Sequence, residues 1–512
     1  MDTLFSSLLA DAPATGRDAF GISTALFLVA LVLGLPSLKA LICHLAPPTK
    51  PLHDTSLGIS QLPSLSSNIP VIGHILELQY NSAAYVIRLL ASTSASLFTI
   101  RIPFKTIVFA HPSMDRVLSR HVSDTGLAQL LAPVGRRVFG LGEDAVRAIV
   151  NVDPRPLHRA EFGRPENLQR LTKQASRFLW DELERMPPAS EVDLGRWMFK
   201  TAVAATACAV WGYENPWRMD DEFAEQFRIL SAGFASLSWP FPWITARKAL
   251  SARNFLLTRL RAFHAQHRAT RIQSVAHGIN IIAQSDPDWE ANADYYSIEL
   301  VSALGVLASP SMLSVWLMRH LLAAPSEFLD RVVKEAQSLS PHKDGKRLDV
   351  SDVRTRCPWL VAAWHETLRL HMTTVPRIAR HPFSLPLQDS AQSLSVDQGD
   401  IIVLPMCASN RNPDLWAEPS SFAPERFITA DGRLDAALVS RVRAFGVAGN
   451  LCPGREFGSN VALAIVAGFL RTFAVHRVDG GDGPLRLPSV ARGFNLGLER
   501  PKDDVRIRLV KI

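Results

Sequence analysis

The chain has 512 residues and a formal charge of +7 at pH 7, a modest excess without a long run of Lys and Arg. This pattern argues against a nucleic-acid-binding protein. The cysteines lack C-x-x-C spacing, which argues against zinc sites and a disulfide framework; they stand at positions 43, 208, 357, 407 and 452. We therefore expect a reducing compartment and, since no internal repeat divides the chain, one large domain.

The first 70 residues predict attachment to a membrane. Residues 20–42 are apolar apart from Lys39, and roughly 20 such residues span a bilayer. Aspartates outnumber the one arginine in residues 1–19, whereas Lys39 lies near the end of the span and Lys50 follows it, so we expect residues 1–19 to be lumenal and residues 71–512 cytoplasmic. A cleaved signal peptide is the alternative. Residues 43–70, which are rich in proline, are predicted to form a stiff linker.

A second apolar segment lies in the middle of the chain. Trp239 to Ile244 is aromatic and apolar, and Arg247 and Lys248 follow it. Tryptophan flanked by cations is typical of segments that dip into lipid headgroups. An ordinary core loop is the alternative interpretation.

The stretch from Asp294 to Leu322 is predicted to form a long apolar helix. From Leu300 onward the stretch contains no Asp or Glu, and no threonine occurs anywhere in it. Ala308, Ser309 and Pro310 stand at its centre. A proline removes one intrahelical hydrogen bond and bends the axis, so we expect an irregularity there.

Glu366 and Arg369 lie three residues apart in a second helical pattern, Leu360–Met372. Positions i and i+3 share a helix face, so the two side chains are expected to meet. A weak surface ion pair is the ordinary interpretation of this spacing.

The segment Phe445 to Gly458 is a glycine-bearing loop that carries Cys452 to the start of a helix, with Pro453 predicted at its first position. The free N–H groups and positive dipole of a helix N-terminus favour a thiolate. A thiolate can be the axial ligand of a haem iron. Gly446 and Gly454 would let the backbone approach a flat cofactor closely. A buried structural cysteine is the alternative.

This loop resembles the cysteine-ligand signature of the cytochromes P450, Phe-Gly-x-Gly-x-x-x-Cys-x-Gly. Four positions match the signature, namely Phe445, Gly446, Cys452 and Gly454. Ala448 replaces the second glycine, and Asn450 stands where the family often has a basic residue facing a haem propionate. The resemblance implies a mainly α fold with small β-sheets, the cytochrome P450 fold. It also implies a haem-thiolate catalytic domain over residues 71–512, with haem b ligated by Cys452.

The resemblance assigns roles to further residues. Arg426, in the segment Phe422–Phe427, matches the arginine that completes a structural network with Glu366 and Arg369. Arg377 matches an arginine that reaches a haem propionate, the alternative being a charge-paired or exposed arginine. The family's Trp-x-x-x-Arg motif is missing before residue 170, which leaves three propionate candidates: Arg155, His158 and Arg159.

Likeness to microsomal members of the family implies a single-pass protein of the endoplasmic reticulum membrane. Because the chain shows no flavin or nicotinamide domain, electrons are expected from NADPH-cytochrome P450 reductase, with cytochrome b5 as a second donor. Arg441, Arg443 and Arg455 could form the basic face that meets them, a generally solvated surface being the alternative. The implied reaction inserts one oxygen atom from dioxygen into a lipophilic small molecule of terpenoid, steroid, alkaloid or polyketide type. A biosynthetic pathway of fungal type is the expected setting.

The central helix departs from the family. Ordinary monooxygenase members carry an acid and then a threonine there, which manage proton delivery, and Ala308 and Ser309 take these places. One interpretation is that Ser309 and ordered water relay protons. Another is a haem-thiolate isomerase or dehydratase that needs no external electrons; the prostacyclin synthase and sterol hydroxylase branch also lacks the pair and includes both kinds of enzyme. A non-catalytic haem-binding membrane protein is the third.

The substrate pocket is expected between residues 120–150, residues 227–245, the central helix and the strand after Pro376. Apolar candidates for its lining are Leu304, Val306, Leu307 and Val375.

Overall fold

The structure is a computed structural model. It describes residues 56–66, 74–102, 105–126, 134–151, 155–238, 241–339, 349–374, 376–387, 392–446, 450–478, 481, 483–491, 493 and 497–512. The predicted span 20–42, with its flanks 1–19 and 43–55, lies outside these residues and stays a prediction.

Helices dominate the body, as expected. The α-helices are Ile75–Ala91, Asp115–Leu118, Glu143–Asn151, Arg155–Phe162, Pro165–Arg185, Leu194–Val210, Pro216–Met219, Asp221–Gly233, Pro242–Thr245, Arg247–Gln266, Arg268–Arg271, Val275–Gly278, Ile281–Ser285, Ala293–Ala303, Ser309–Ala323, Ser326–Ser338, Val350–Arg356, Pro358–His371, Met406–Asn410, Ala436–Val439 and Arg455–Thr472. Wider π turns cover Gly135–Phe139 and Leu304–Ala308, and short 3₁₀ turns cover Ile59–Gln61, Pro112–Met114, Ser119–His121, Phe234–Ser238 and Pro424–Phe427.

Three small sheets accompany the helices. Their strands are β1 Ser56–Gly58, β2 Leu97–Ile102, β3 Lys105–Ala110, β4 Thr125–Gly126, β5 Ala189–Asp193, β6 Arg377–Ala379, β7 Phe383–Pro386, β8 Ser393–Val396, β9 Ile401–Val403, β10 Phe473–Arg477 and β11 Arg506–Lys511. The strand orders are β1-β8-β7, β10-β11-β5 and β2-β3-β9-β6-β4. In the largest sheet β3 and β9 pair in parallel, whereas β6 pairs antiparallel to β9, so Arg377 stands opposite Ile402.

The core is built around one continuous helical rod, residues 293–323, which we call the central helix. It comprises the α-helices Ala293–Ala303 and Ser309–Ala323 and the π turn between them. Within the described residues it is the one helix long and apolar enough to cross a bilayer, yet 61% of its most apolar window is buried in the protein. It is therefore a core helix, packed against Leu194–Val210, Pro358–His371 and Arg455–Thr472, since apolar side chains gain most from removal from water.

Part of the predicted linker packs on the body. Ser56, Leu57 and Gly58 pair in parallel with residues 393–395 of β8. Further on, the Thr99 N–H of β2 donates to the Pro63 carbonyl at 2.8 Å. Residues 56–66 are thus hydrogen-bonded to two of the sheets of the domain, through β8 and β2.

Candidate functional site

The loop around Cys452 closes on itself through the backbone. The Cys452 N–H donates to the Phe445 carbonyl at 2.7 Å. Gly446 adopts φ +103°, and a Cβ at this position would stand 2.1 Å from the Asn450 carbonyl oxygen. Any side chain at this position would collide with the backbone, so the closure of the loop itself requires glycine at position 446.

Cys452 precedes a helix, but that helix begins later than expected. It runs from Arg455 to Thr472 with Gly454 as its N-cap, so Pro453 lies in the turn before it and is not the first helical residue. Cys452 is exposed. Protein nevertheless surrounds its thiol closely, and this burial raises the pKa of Cys452 above its ordinary value, while the Gly454 N–H and the Arg455 charge oppose the rise. A bound metal ion deprotonates a coordinating thiol outright.

Glu366, Arg369 and Arg426 come together in the interior. Arg369 donates from Nε and Nη2 to the two oxygens of Glu366, both at 2.7 Å, and both side chains are fully buried. Arg426 Nε lies 3.3 Å from Glu366 Oε1. The surface ion-pair interpretation is wrong, because both side chains are fully buried and the pair is bidentate.

Asn410 connects this network to the cysteine loop. Arg369 Nη1 donates to the Asn410 carbonyl at 2.7 Å. The Asn410 side chain in turn holds the backbone of Arg443, donating from Nδ2 to its carbonyl at 2.7 Å and accepting from its N–H at 2.8 Å. Arg443 stands two residues before Phe445, so the network braces the start of the loop. Sequence reasoning missed Asn410, because a lone asparagine after a strand carries no signal of such a role.

Two arginines from distant segments meet at Asn450, two residues before Cys452. Arg155 Nη1 donates to Asn450 Oδ1 at 2.9 Å. Arg377 Nη2 donates to the Asn450 carbonyl at 2.9 Å. Of the three propionate candidates, the structure thus brings Arg155 to the loop, whereas His158 stacks on Phe162 and Arg159 is exposed.

The central helix has one open face. Gly305 and Ser309, four residues apart, are exposed in the middle of a helix that is otherwise largely buried. Ser309 Oγ forms no hydrogen bond with any described residue, whereas Ser311 and Ser314 bond back to carbonyls of their own helix. The helix continues through Pro310, and the π turn just before it accommodates the proline's missing donor.

Pro310, next to Ser309, packs against the helix Arg455–Thr472, which follows Cys452. A Cβ at Gly458, six residues after Cys452, would lie 3.2 Å from Pro310 Cγ. Leu304 and Leu307 point into the core, which corrects their prediction as pocket-lining residues, because they lie off the face that Gly305 and Ser309 share. Val306 is half-buried, and Val375 lies outside the described residues.

The predicted basic face is partly neutralised. Arg443 pairs with Asp115 at 3.1 Å, and Arg455 lies 3.6 Å from Glu456. Arg441 is exposed.

Hydrogen-bond donors near Cys452 could bind the carboxylate groups that a haem carries. Asn450 Nδ2 and Arg377 Nε are buried donors without a partner in the described part of the chain. Buried donors are almost always paired, so their convergence beside a cysteine indicates an acceptor from a bound group. A Cβ at Gly454 would meet no atom of the described residues within 4 Å, so there is open space beside this glycine.

Comparison with known proteins agrees with this chemistry. The family model "Cytochrome P450" matches residues 63–502. The cytochrome P450 monooxygenase nodJ of Hypoxylon pulicicidum is 25% identical over 81% of this chain and 83% of its own length. Drimenol monooxygenase of Persicaria hydropiper is 27% identical over 39% of this chain and 38% of its own length. A retinoic acid-bound cyanobacterial CYP120A1 shares the fold with TM-score 0.66 and 19% identity, covering 88% of this chain and 99% of that one.

Proposed function

The chain belongs to the cytochrome P450 family, and from this we infer that it is a membrane-bound haem-thiolate monooxygenase acting on a lipophilic small molecule. That it is an oxidoreductase with a haem cofactor follows from the family itself. The observation that carries the proposal is the closed Cys452 loop, braced through Asn410 by the buried Glu366 network.

The chain's own residues would hold the haem as follows. Cys452 would supply the thiolate that binds the haem iron, and Phe445 and Gly446 shape the turn that presents it. Arg377 and Arg155 supply positive charge beside the loop, where the carboxylates of a haem would need it. When bound, the haem supplies the activation of dioxygen, and the protein contributes ligation, orientation and exclusion of water.

Ser309 is the residue we propose for moving protons. Its Oγ lies on the open face of the central helix and has no competing hydrogen bond in the described chain. Pro310 has no N–H, so a carbonyl of the preceding turn loses a donor and can hold water beside Ser309. A hydroxyl with ordered water can pass a proton, although it is a weaker relay than an acid–threonine pair.

A lipophilic substrate is supported by the residues beside Ser309. Val306, Ala308 and Met312 are partly accessible and apolar, so the open face offers little polarity apart from one hydroxyl and backbone carbonyls. Ligand pockets are mostly apolar with a few placed polar groups. We propose a terpenoid, steroid, alkaloid or polyketide, oxidised in a biosynthetic pathway.

Membrane attachment is supported by the segment after residue 240. Phe241, Trp243 and Ile244 have 59%, 59% and 60% of their surfaces exposed, and Arg247 and Lys248 follow them. Such exposed aromatic residues beside cations favour the bilayer interface. Together with the predicted span 20–42, this supports a single-pass protein of the endoplasmic reticulum with its body in the cytoplasm. NADPH-cytochrome P450 reductase, with cytochrome b5, is the electron donor we propose.

The second candidate function is a haem-thiolate isomerase or dehydratase, because Ala308 and Ser309 replace the usual acid and threonine. An isomerase or dehydratase of peroxides would need no proton delivery for splitting dioxygen.

The test is mass spectrometry of metabolites from a host with and without this gene, grown under heavy-isotope dioxygen. A new product with one heavy oxygen atom would establish monooxygenation. An unlabelled product, isomeric with its precursor or lighter by one water, would establish rearrangement or dehydration. A Cys452→Ala strain is the control, since a product that persists there does not come from this site.

A further inference from the structure

Two buried histidines from different helices face each other at the end of the helix Pro358–His371. His320, on the central helix, and His371 are 5% and 6% exposed, and their Nε2 atoms lie 2.7 Å apart. On its other side His371 Nδ1 donates to Glu499 Oε2 at 3.2 Å, and Arg411 Nη2 donates to the same oxygen at 3.0 Å. The four side chains form one continuous polar chain in the interior.

These hydrogen bonds define which ring nitrogens carry a proton. Glu499 accepts as a carboxylate, since burial opposes its ionisation but the His371 hydrogen bond and the Arg411 charge outweigh burial and lower its pKa. His371 therefore carries its proton on Nδ1, and its Nε2 accepts from the Nε2–H of His320. The remaining nitrogen, His320 Nδ1, is a bare acceptor that is buried without a partner in the described chain. Both rings are thus packed in their neutral form.

An additional proton does not fit this arrangement. On His320 Nδ1 it would create a buried N–H that has no acceptor among the described residues. On His371 Nε2 it would face the N–H of His320 instead of donating to a lone pair. Burial, together with the neighbouring His371, holds the pKa of His320 well below its ordinary value. Burial also lowers the pKa of His371; the charges of Arg411 and Arg369 act in the same direction, and Glu499 opposes them.

A crevice of about 120 Å³ leads from the surface to the His320 ring, which forms part of its wall. Phe422 also lines the crevice and stacks on that ring, with the ring centroids 4.2 Å apart. Glu425, likewise in the lining, is exposed. The other lining residues are apolar, so His320 and Glu425 are the side chains of this crevice that can take up a proton from solvent.

The same residues fasten a short segment near the C-terminus to the end of the helix. The Glu499 N–H donates to the His371 carbonyl at 2.9 Å, and the Thr373 N–H donates to the Gly497 carbonyl at 3.1 Å. Trp316 of the central helix stacks on His371 with ring centroids 3.7 Å apart, and its indole N–H donates to the Glu499 carbonyl at 2.8 Å. The segment is therefore held against the chain that leads from this helix into β6.

We propose that His320, His371 and Glu499 form a proton-sensitive latch. With both rings neutral, the latch fastens residues 497–499 to the chain between its helix and β6. A further proton breaks the hydrogen bond between the two rings and releases the segment. Because β6 carries Arg377, which donates to the cysteine loop, release also loosens the strand beside that loop. The latch is independent of the reaction proposed above, since it involves neither dioxygen nor electrons.

The test is amide hydrogen–deuterium exchange of the haem-loaded, full-length protein between about pH 7.5 and pH 5.5, corrected for the intrinsic pH dependence of exchange. Peptides covering residues 371–374 and 497–502 report opening of the latch, and peptides of β2 and β3 report general loosening. Opening exposes both rings to water, where histidine takes a proton below about pH 6.5. Each ring that is neutral only in the closed state raises the opening constant about tenfold over this range, so the wild type should change by about 100-fold.

His320→Gln is the decisive variant, because a glutamine amide N–H can replace the Nε2–H of His320 but takes up no proton. Its opening constant should rise by about tenfold between the two pH values, instead of about 100-fold. His476→Gln, which removes an exposed histidine of β10, should behave like the wild type. An equal rise in all three proteins would overturn the latch, because His320 would then not be a group that takes up the releasing proton.

Hydrogen exchange at the imidazole C2 position of the wild type tests the latch even if His320→Gln fails to fold. The pH midpoint of this exchange should be lower for His320 and His371 than for the exposed His476. A midpoint for His320 equal to that of His476 would contradict the proposal, since such a ring is not held neutral by its surroundings.

Discussion

Some residues around Cys452 serve the chemistry of the site, and others fix its geometry. Cys452 carries the thiol suited to ligate iron, and burial raises its pKa above the ordinary value. Gly446 allows the loop to close, since any side chain there would strike the Asn450 carbonyl. Ser309 is the exposed hydroxyl on a mostly apolar helix. Cys452 contributes a soft sulfur ligand, Gly446 contributes backbone freedom, and Ser309 contributes a hydroxyl that is not already hydrogen-bonded to a described residue.

Ser309→Ala should uncouple the reaction. If Ser309 Oγ relays protons, its loss should lower product formed per electron pair by about tenfold and raise hydrogen peroxide release. The effect should be smaller than the 10²–10⁴ of a dedicated acid–base residue, because water can act in its place. Peroxide and product yields at fixed NADPH consumption measure it. Ser311→Ala is the control, because its hydroxyl is bonded to the Leu307 carbonyl at 2.7 Å. Equal coupling in the two variants would leave water as the relay.

At the scale of elements, the helix Pro358–His371 is the part that connects the core to the cysteine loop. Its fully buried Arg369 donates to the backbone carbonyls of Asn410, Pro419 and Ser421, and Glu366 accepts from the Ala423 N–H at 3.0 Å. Through these contacts one helix fixes the chain on both sides of the segment that leads to Cys452. The helix start is held as well, because Glu335 accepts from the N–H groups of Trp359 and Leu360, each at 3.2 Å.

Asn410→Ala should loosen the loop without touching haem. The substitution leaves the partly buried N–H and carbonyl of Arg443 without these partners, which should lower the free energy of unfolding by about 1–3 kcal/mol. Denaturant unfolding measures it, and haem content per protein should fall with it. Asn412→Ala, which removes one turn hydrogen bond to the Asp414 N–H, should cost far less. A haem content unchanged in Asn410→Ala would contradict the bracing role.

Glu335 should make stability depend on pH. Burial raises its pKa from 4.5 to about 7 despite the two N–H donors, so the folded state binds this proton more tightly than the unfolded state. Stability from this group is therefore complete below about pH 4.5 and is lost as pH rises through about 7. The melting temperature of Glu335→Gln should fall less than that of the wild type between about pH 5 and pH 8. Parallel curves for the two proteins would refute the assignment, and Glu327→Gln on the same helix is the control.

Over the whole molecule, buried carboxylates join elements that are distant in sequence. Among the described residues, Glu299, Glu366 and Glu499 are buried, and each meets cations from other segments. Glu299 pairs with Arg271 and His264, and Glu499 with His371 and Arg411. Breaking a buried pair costs several kcal/mol, so these contacts favour one arrangement of the packed helices over others.

The membrane contacts also belong to this scale, because two separate segments are expected to act together. Deleting residues 1–55 should leave protein that still binds liposomes but is released by alkaline carbonate, which does not extract a spanning helix. Adding Phe241→Ser and Trp243→Ser should then leave the protein in the supernatant, since most of the exposed apolar area of the segment is lost. Sedimentation with liposomes measures both steps. Trp180→Ser, on a different surface, is the control, and binding that survives the double change would place the contact elsewhere.

Resemblance to the cysteine-ligand signature implied the fold class, and local patterns predicted the cysteine loop and the meeting of Glu366 with Arg369. These features have local signals: helical spacing of apolar residues, glycines at fixed offsets from a cysteine, and charges three residues apart. The irregularity at Pro310 was likewise predictable, because proline lacks a donor wherever it stands.

Tertiary structure decided the rest. Arg155 and Asn450 are 295 positions apart, and Asn410 meets the backbone of Arg443 across 33 positions. No local pattern encodes such contacts, since they exist only after the core has packed. The same holds for the open face of the central helix: Leu304, Gly305 and Ser309 lie on one apolar stretch, and only the neighbouring helices decide which of them is covered. Packing of the whole molecule thus decides which of several residues, equally suited by sequence, are exposed at the site.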